Sequence, residues 1–272
     1  MTRPAAGGSG NRSARIDRLR NLVSFDLALA SVANRDQIPD RLSAGETPMV
    51  FDDSASHFED HVLSRRLVGF DEAGRGSLAG PVTVACVSFD LSRLVLATGE
   101  LRDSIPGTYC DLNDSKRVTK RNRERLYAQI VAEAHWGIGC ASAVEIDRLG
   151  IVKACRAAAS RAYRCLVLGR GFAVDLGLFD RGLSLDVGDR TESIPSSVQV
   201  TRGDGQSFHI AAASILAKVR RDAIMRELDP RVPGYGFASH KGYGTAAHIS
   251  AIRGIGPSKF HRRTFLSRVL GS

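Results

Sequence analysis

Asp71 and Glu72 stand side by side at the end of an apolar run, Leu67-Val68-Gly69-Phe70, and Gly74-Arg75-Gly76 follows almost at once. The run predicts the start of a buried strand. Two adjacent carboxylates in apolar surroundings raise each other's energy, by desolvation and by repulsion. A positive partner belongs beside them. Two glycines around an arginine let the backbone approach a ligand closely. The stretch therefore reads as a metal and phosphate site. A second polar set, Ser214, Lys218 and Asp222, is spaced i, i+4 and i+8 in a helical stretch and shares one stripe. Ala211, Ala212 and Ala213 are small enough to bring that helix tightly onto a sheet, which favours an inward-facing acid. Asp180 closes another apolar run, Phe172 to Phe179.

Carboxylates dispersed over strand ends and a helix suit hard, oxygen-seeking cations, Mg²⁺ or Mn²⁺. No GxxxxGK[ST] loop is present, which argues against a nucleotide hydrolase of that type. No His/Cys cluster supports zinc. Ser214 with Lys218 could form a nucleophile pair, but the alanine-rich stretch has no elbow turn to strain the serine. A two-metal phosphodiester hydrolase fits best: one ion activates water and the other stabilises the leaving oxygen.

The wider composition agrees. The 272 residues carry a net charge of +9 and a pI near 9.7, which favours a polyanionic partner, nucleic acid before membrane. From Arg231 onward there is no Asp or Glu, while Tyr235, Phe237, Tyr243, Phe260 and Phe265 are interleaved with Lys, Arg and His. Such a mixture suits phosphate contact and stacking. Five cysteines without a CxxC spacing read as reduced thiols of a cytoplasmic protein. No apolar run reaches the ~18–20 residues that span a bilayer.

The positioning elements follow an α/β pattern. Strands are expected at Leu67 to Asp71, Val82 to Phe89, Trp136 to Val144 (closed by Glu145-Ile146-Asp147), Phe172 to Phe179 and Pro195 to Thr201. Ser92 to Cys110 reads as a long loop. Thr119 is a candidate N-cap for a helix through Ala134, and further helices are expected over Ile151 to Leu168 and His209 to Leu228. Residues 1–60 read as a largely disordered extension with one candidate helix, Ile16 to Val32. Residues 61–230 would form the catalytic domain and residues 231–272 a basic, aromatic substrate-binding part.

Several stretches together resemble the ribonuclease HII (type 2 ribonuclease H) family: Asp71 to Gly76 with Leu78-Ala79-Gly80-Pro81-Val82, Leu112-Asn113-Asp114-Ser115-Lys116, Glu145-Ile146-Asp147, Ile210 to Asp222, and Gly234 to Tyr243. They span about residues 67 to 265 in the family's order. The resemblance implies a ribonuclease H-like fold, a central mixed sheet flanked by helices with a small C-terminal helical part. It implies cleavage of the RNA strand of RNA–DNA hybrids and nicking 5′ to a ribonucleotide embedded in duplex DNA, with Mg²⁺ or Mn²⁺.

Carried over by motif, Asp71, Glu72 and Asp222 are acidic active-site residues. Gly74, Arg75 and Gly76 sense the 2′-hydroxyl, Tyr243 packs on the neighbouring deoxyribose, and Lys116, Ser214 and Lys218 support the phosphate or the site. The family's remaining carboxylate is an Asp followed by Gly after an apolar strand. Here Asp175, Asp180 and Asp186 compete for that place, and the order loop, strand, acid selects Asp180, which is followed by Arg181. If that altered region fails to hold metal, the alternative is a hybrid-binding protein on the same fold. A monomer is expected, and Arg268 to Ser272 shows no sliding-clamp motif.

Overall fold

Strands β1 (Arg41–Leu42), β2 (Leu67–Ala73), β3 (Val82–Ser88), β4 (His135–Ala141), β5 (Leu176–Asp180) and β6 (Ser197–Val200) form one sheet in the order β1-β6-β5-β2-β3-β4. The computed structural model describes residues 9–32, 39–46, 60–170, 172–185 and 194–267. β3 runs antiparallel to both β2 and β4, whereas β2, β5, β6 and β1 are parallel. The sheet is therefore mixed, as expected. Register matters most at the β2–β5 pair, where Phe70 lies opposite Phe179. Their rings stack with centroids 4.3 Å apart. The next residues along the two parallel strands are Asp71 and Asp180, so both acids leave the sheet at the same end.

Each face of the sheet is covered. The helices are α1 (Ser9–Ser31), α2 (Asp60–Leu63), α3 (Leu91–Leu94), α4 (Ser104–Tyr109), α5 (Lys120–Glu133), α6 (Ala143–Leu149), α7 (Ile151–Arg170), α8 (Phe208–Leu228), α9 (Phe237–His240) and α10 (Ala246–Ile255). Leu67, Ala85 and Val87 share one core with α1, α5 and α8, whereas Val68, Phe70, Val84 and Cys86 pack against α7. That split is the period-2 alternation of strands buried on both faces. Every residue from Phe208 to Ala217 is buried, so α8 is the central helix of its layer. It lies so close to β2 that a side chain on Gly69 would meet the backbone of His209 and Ile210.

Several elements differ from the sequence reading. Ser92 to Cys110 is not all loop, because Asp90 caps α3 by accepting from the Ser92 N–H and α4 follows. Glu145 does not close a strand. It forms a capping box with Ser142 that starts α6. The strand expected from Phe172 begins only at Leu176, since Asp175 turns aside to accept from the Arg66 N–H at 3.0 Å. Thr119 does cap α5.

The largest difference is at the N-terminus. The candidate helix Ile16 to Val32 is present as α1 but starts earlier, at Ser9, and it is not part of a loose extension: Leu19, Leu22, Val23, Phe25, Leu27 and Leu29 all belong to the main core. Apolar residues lie all round the second half of α1, so it shows little amphipathic signal; a helix enclosed on all sides looks this way.

Behind α8 a small third core, with Tyr235, Phe237, Ile252 and Leu266, anchors the C-terminal part. Two aromatics expected on a nucleic-acid surface, Tyr235 and Phe237, are thus core residues instead. Beside them His248 and His261 are buried, with Nε2 atoms 3.1 Å apart. Burial, then His248, pushes the His261 imidazole down to about 4. Its folded pKa lies below the ordinary 6.5, so the unfolded chain takes the proton first as pH falls. The contribution to stability is complete above about pH 6.5 and is lost on the way down to about 4. His261→Gln is expected to flatten the acid limb of a thermal-midpoint-against-pH curve. An unchanged limb would show that the pair does not govern it.

Candidate metal centre and nucleic-acid strip

β2 delivers Asp71 and Glu72, and β5 delivers Asp180, to one point. One carboxylate oxygen from each lies within 4.8 Å of the others. Asp71 accepts from the Glu72 N–H at 2.7 Å, and Asp180 Oδ1 accepts from the Gly203 N–H at 2.8 Å. Burial first, then Glu72 and Asp180, raises the Asp71 carboxyl well above the usual carboxylate range. Glu72 is raised by burial against the pull of Arg75, and Asp180 is raised mainly by burial. Glu72 Oε2 is buried and, among the described residues, has no hydrogen-bond partner. Three crowded, raised carboxylates and an orphaned anionic oxygen are what a hard cation would satisfy. The donor set therefore fits Mg²⁺ or Mn²⁺.

A fourth acid stands beside them. Asp204 sits in a 3₁₀ turn, Gly203–Gly205, right after the residue whose N–H holds Asp180. Burial, then Asp114 and Asp180, pushes its carboxyl up to about 6. It also adds to the repulsion on Asp71. Asp204 is not among the candidate site residues read from the sequence. The signal available was a Gly-Asp pair just ahead of Ser207, the cap of α8.

Asp222, expected in the acidic set, is elsewhere: its Oδ1 accepts from Lys218 Nζ at 2.9 Å. A rise of 1.5 Å per residue puts it about 12 Å along α8 from Ser214. Ser214 is the α8 residue that reaches the centre, hydrogen-bonding to Asp71 and lying 3.0 Å from the Ser115 hydroxyl. Of the other candidates for the acid after the strand, Asp175 is at the opposite end of β5, and Asp186 lies outside the described residues.

Two cations border the carboxylates. Arg75 Nη1 is 3.4 Å from Glu72 Oε1. Burial lowers the Lys116 ammonium pKa, but Asp114, Asp204 and Asp71 outweigh it, so the net shift is upward and the charge is held.

The Gly74-Arg75-Gly76 strip leaves β2 here. Gly74 has φ of 90°, and any Cβ on it would strike the Arg221 side chain. The strip rests on two buried arginines. Arg262 Nη2 donates to the Gly74 carbonyl at 2.7 Å, Nη1 to that of Arg75 at 2.8 Å, and Nε to that of Gly80 at 3.0 Å. Arg221 donates to Ser77 Oγ at 2.6 Å and to the Pro81 carbonyl at 3.0 Å. Its guanidinium carbon sits 5.2 Å from the centre of the Tyr243 ring, and Lys218 Nζ 5.6 Å. Strip and Tyr243 are thus joined through Arg221, although 169 positions separate Gly74 from Tyr243 in the chain. Arg262 belongs to the basic stretch expected on a nucleic-acid surface, yet it and Arg221 are both buried structural donors.

This fold with these acids defines a metal-dependent nuclease of the ribonuclease H class. The comparisons narrow it. The family model described as Ribonuclease HII matches residues 68–268. Ribonuclease HII of Paramagnetospirillum magneticum is 44% identical over 199 residues, covering 72% of this chain and 88% of the relative. That of Chloroflexus aurantiacus is 43% identical over 211 residues, covering 76% and 91%. The chain belongs to the ribonuclease HII family, metal-dependent endonucleases that cut RNA in RNA–DNA hybrids and act on ribonucleotides in DNA.

Solved structures show the same fold at low identity. Ribonuclease HII of Archaeoglobus fulgidus, solved in complex with PCNA, has a TM-score of 0.53 and 22% identity, covering 73% of this chain and 94% of that one. A Bst ribonuclease HIII with Mn²⁺ has a TM-score of 0.57 and 17% identity, covering 76% and 70%. No described helix is long and apolar enough to cross a membrane. The sequence reading of the C-terminal end, 268–272, falls outside the described residues.

Raised carboxyl pKa values have a signed consequence. For Asp204 the folded value of about 6 exceeds the ordinary 3.8, so stability is full below about 3.8 and declines as pH rises to about 6. The histidine pair acts oppositely over that window, so the difference between variant and parent is the quantity to read. Asp180→Asn keeps an acceptor for Gly203 while removing one repelling charge. In chelator at pH 8 it is expected to melt above the parent protein. A lower midpoint would contradict the repulsion.

Proposed function

We propose that Asp71, Glu72 and Asp180, with Asp204 beside them, hold divalent cations, Mg²⁺ or Mn²⁺, and that this site nicks duplex DNA 5′ to an embedded ribonucleotide. The observation that carries the reading is the three-carboxylate cluster with the orphaned Glu72 oxygen. When bound, the cations lower the pKa of an attacking water and offset negative charge on the phosphate and leaving oxygen. The protein's own groups orient the substrate. Ser214 and the Ser115 hydroxyl fix the Asp71 carboxylate. Lys116 keeps its charge beside the acids and is placed for a phosphate oxygen. Products would be a 3′-hydroxyl and a 5′-phosphate.

Recognition belongs to the strip. The 2′-hydroxyl is the local mark that separates RNA from DNA. Arg262 holds the Gly74 and Arg75 carbonyls, and so fixes the backbone of the Gly74-Arg75-Gly76 strip in position to read it. Tyr243, steadied by Arg221 and Lys218, would pack on the adjoining deoxyribose and discriminate against a 2′-hydroxyl on that sugar. Asp222 serves this side of the site, by holding Lys218, rather than the cations. We place the enzyme in the cytoplasm as a monomer.

Cleavage of duplex DNA with one ribonucleotide, with and without Mg²⁺ or Mn²⁺, tests the reading. Asp71→Asn and Asp204→Asn should each lower kcat by about 100-fold or more. Asp222→Asn should lower it by less than about tenfold, because its carboxylate pairs with Lys218 rather than with the acidic cluster. Equal losses at Asp204 and Asp222 would overturn the assignment of the fourth acid. Tyr243→Ala should reduce junction nicking more than hybrid binding; equal loss in both would make Tyr243 a packing residue only.

A further inference from the structure

The helix α1 lies wholly before the matched span, residues 68–268, and nothing in the family resemblance gives it a task. Its contacts are not those of a passive cover. Near its start Arg15 Nη1 is 2.6 Å from Asp111 Oδ1, and Arg18 Nη2 donates to the Cys110 carbonyl at 3.2 Å. The other Asp111 oxygen accepts from Arg125 Nη2 at 3.0 Å and from Asn122 Nδ2 at 3.1 Å, both on α5. Asp111 is therefore clamped between α1 and α5. The chain runs straight on from it into Asp114, Ser115 and Lys116, which border the carboxylates.

Near its other end α1 reaches the second support of the site. Asp26 and His209 are both fully buried. Asp26 Oδ2 accepts from the His209 backbone N–H at 3.0 Å and from His209 Nδ1 at 2.6 Å. His209 lies in the first turn of α8, where the N–H groups have no partner within the helix. A buried carboxylate there complements the helix dipole and fixes how α8 enters the core. The same turn follows Gly203-Asp204 and leads to Ser214. The intervening residues of α1, Leu19, Leu22 and Val23, lock the helix into the main core.

We infer that α1 is a positioning element of the active site, holding the Asp111–Lys116 segment through Arg15 and Arg18 and the first turn of α8 through Asp26. It sets Lys116 against Asp71 from one side and Ser214 and Asp204 from the other, without touching substrate. Misplacement of reacting groups by about 1 Å can cost about 100-fold in rate. Loss of α1's grip therefore lowers kcat more than it raises KM.

The inference rests on the proposed site, and the test keeps the two apart. Full-length parent, Asp180→Asn, Asp26→Ala, Asp26→Asn, Arg15→Ala/Arg18→Ala and Val23→Ala are compared on duplex DNA with one ribonucleotide, well below each thermal midpoint. An active Asp180→Asn would sink the site assignment alone. For α1, Asp26→Ala and the double arginine variant should lose between about 10- and 100-fold in kcat with KM nearly unchanged.

Asp26→Asn keeps an oxygen for the His209 N–H and should recover most of the loss. Val23→Ala trims the core side of α1, so its midpoint should fall while kcat holds. The inference fails if folded Asp26→Ala and the double variant keep the parent's kcat. It fails equally if Val23→Ala, matched for midpoint, loses as much kcat as they do.

Discussion

Like charges brought together away from water are the constraint on which the rest of this protein depends. Asp71, Glu72 and Asp180 crowd within 4.8 Å, with Asp204 close by, and burial raises all four. Left alone they oppose folding. They are held because β2 and β5 are adjacent and parallel, in a register that brings both acidic ends out together. Stacked Phe70 and Phe179 fix that register from inside the core. The cost in repulsion is the site's readiness for a cation. Arg75 and Lys116 offset part of it without filling the place of an ion.

Recognition is built on the opposite principle: positive charge buried under backbone. Arg262 and Arg221 are sealed beneath the Gly74–Gly80 segment and satisfy its carbonyls. Burial, then Arg221, pushes the Arg262 guanidinium down to about 9. Because these arginines come from α8 and from the C-terminal part, they bind the Gly74-Arg75-Gly76 strip to the elements carrying Ser214 and Tyr243. The strip and the carboxylates, proposed to read and to cut, are thereby held in one fixed relation. The C-terminal part is steadied further by Asp147, which accepts from the Arg263 and Thr264 N–H groups at 2.8 and 3.0 Å.

Much of this was legible in the sequence because it is local. The apolar run ending in Asp71-Glu72 and the alternation ending in Asp180 are strand-period signals, and they identified both acidic ends without a following Asp-Gly. What escaped was set by distance along the chain. Asp222 shares a polar stripe with Ser214, but two helical turns carry it out of reach, while Asp204 arrives from an irregular turn with no period. The helix Ile16 to Val32 was legible, but its place in the main core was not, because apolar residues all round the second half of α1 leave no amphipathic stripe. Arg262, Tyr235 and Phe237 looked like a basic, aromatic surface because burial of a guanidinium among carbonyls leaves no mark in composition.

Proton release on metal binding shows whether the raised carboxylates await a cation. The Asp204 carboxyl, pushed up to about 6, is partly protonated at that pH and must give up its proton when Mg²⁺ or Mn²⁺ binds beside it. Calorimetric titration of the full chain at pH 6 in two buffers of different ionisation enthalpy measures that release. Saturable binding is expected, with proton release that shrinks toward pH 8 and is lost in Asp180→Asn. Binding with no proton release at pH 6, or undiminished binding to Asp180→Asn, would contradict a cation site at these carboxylates.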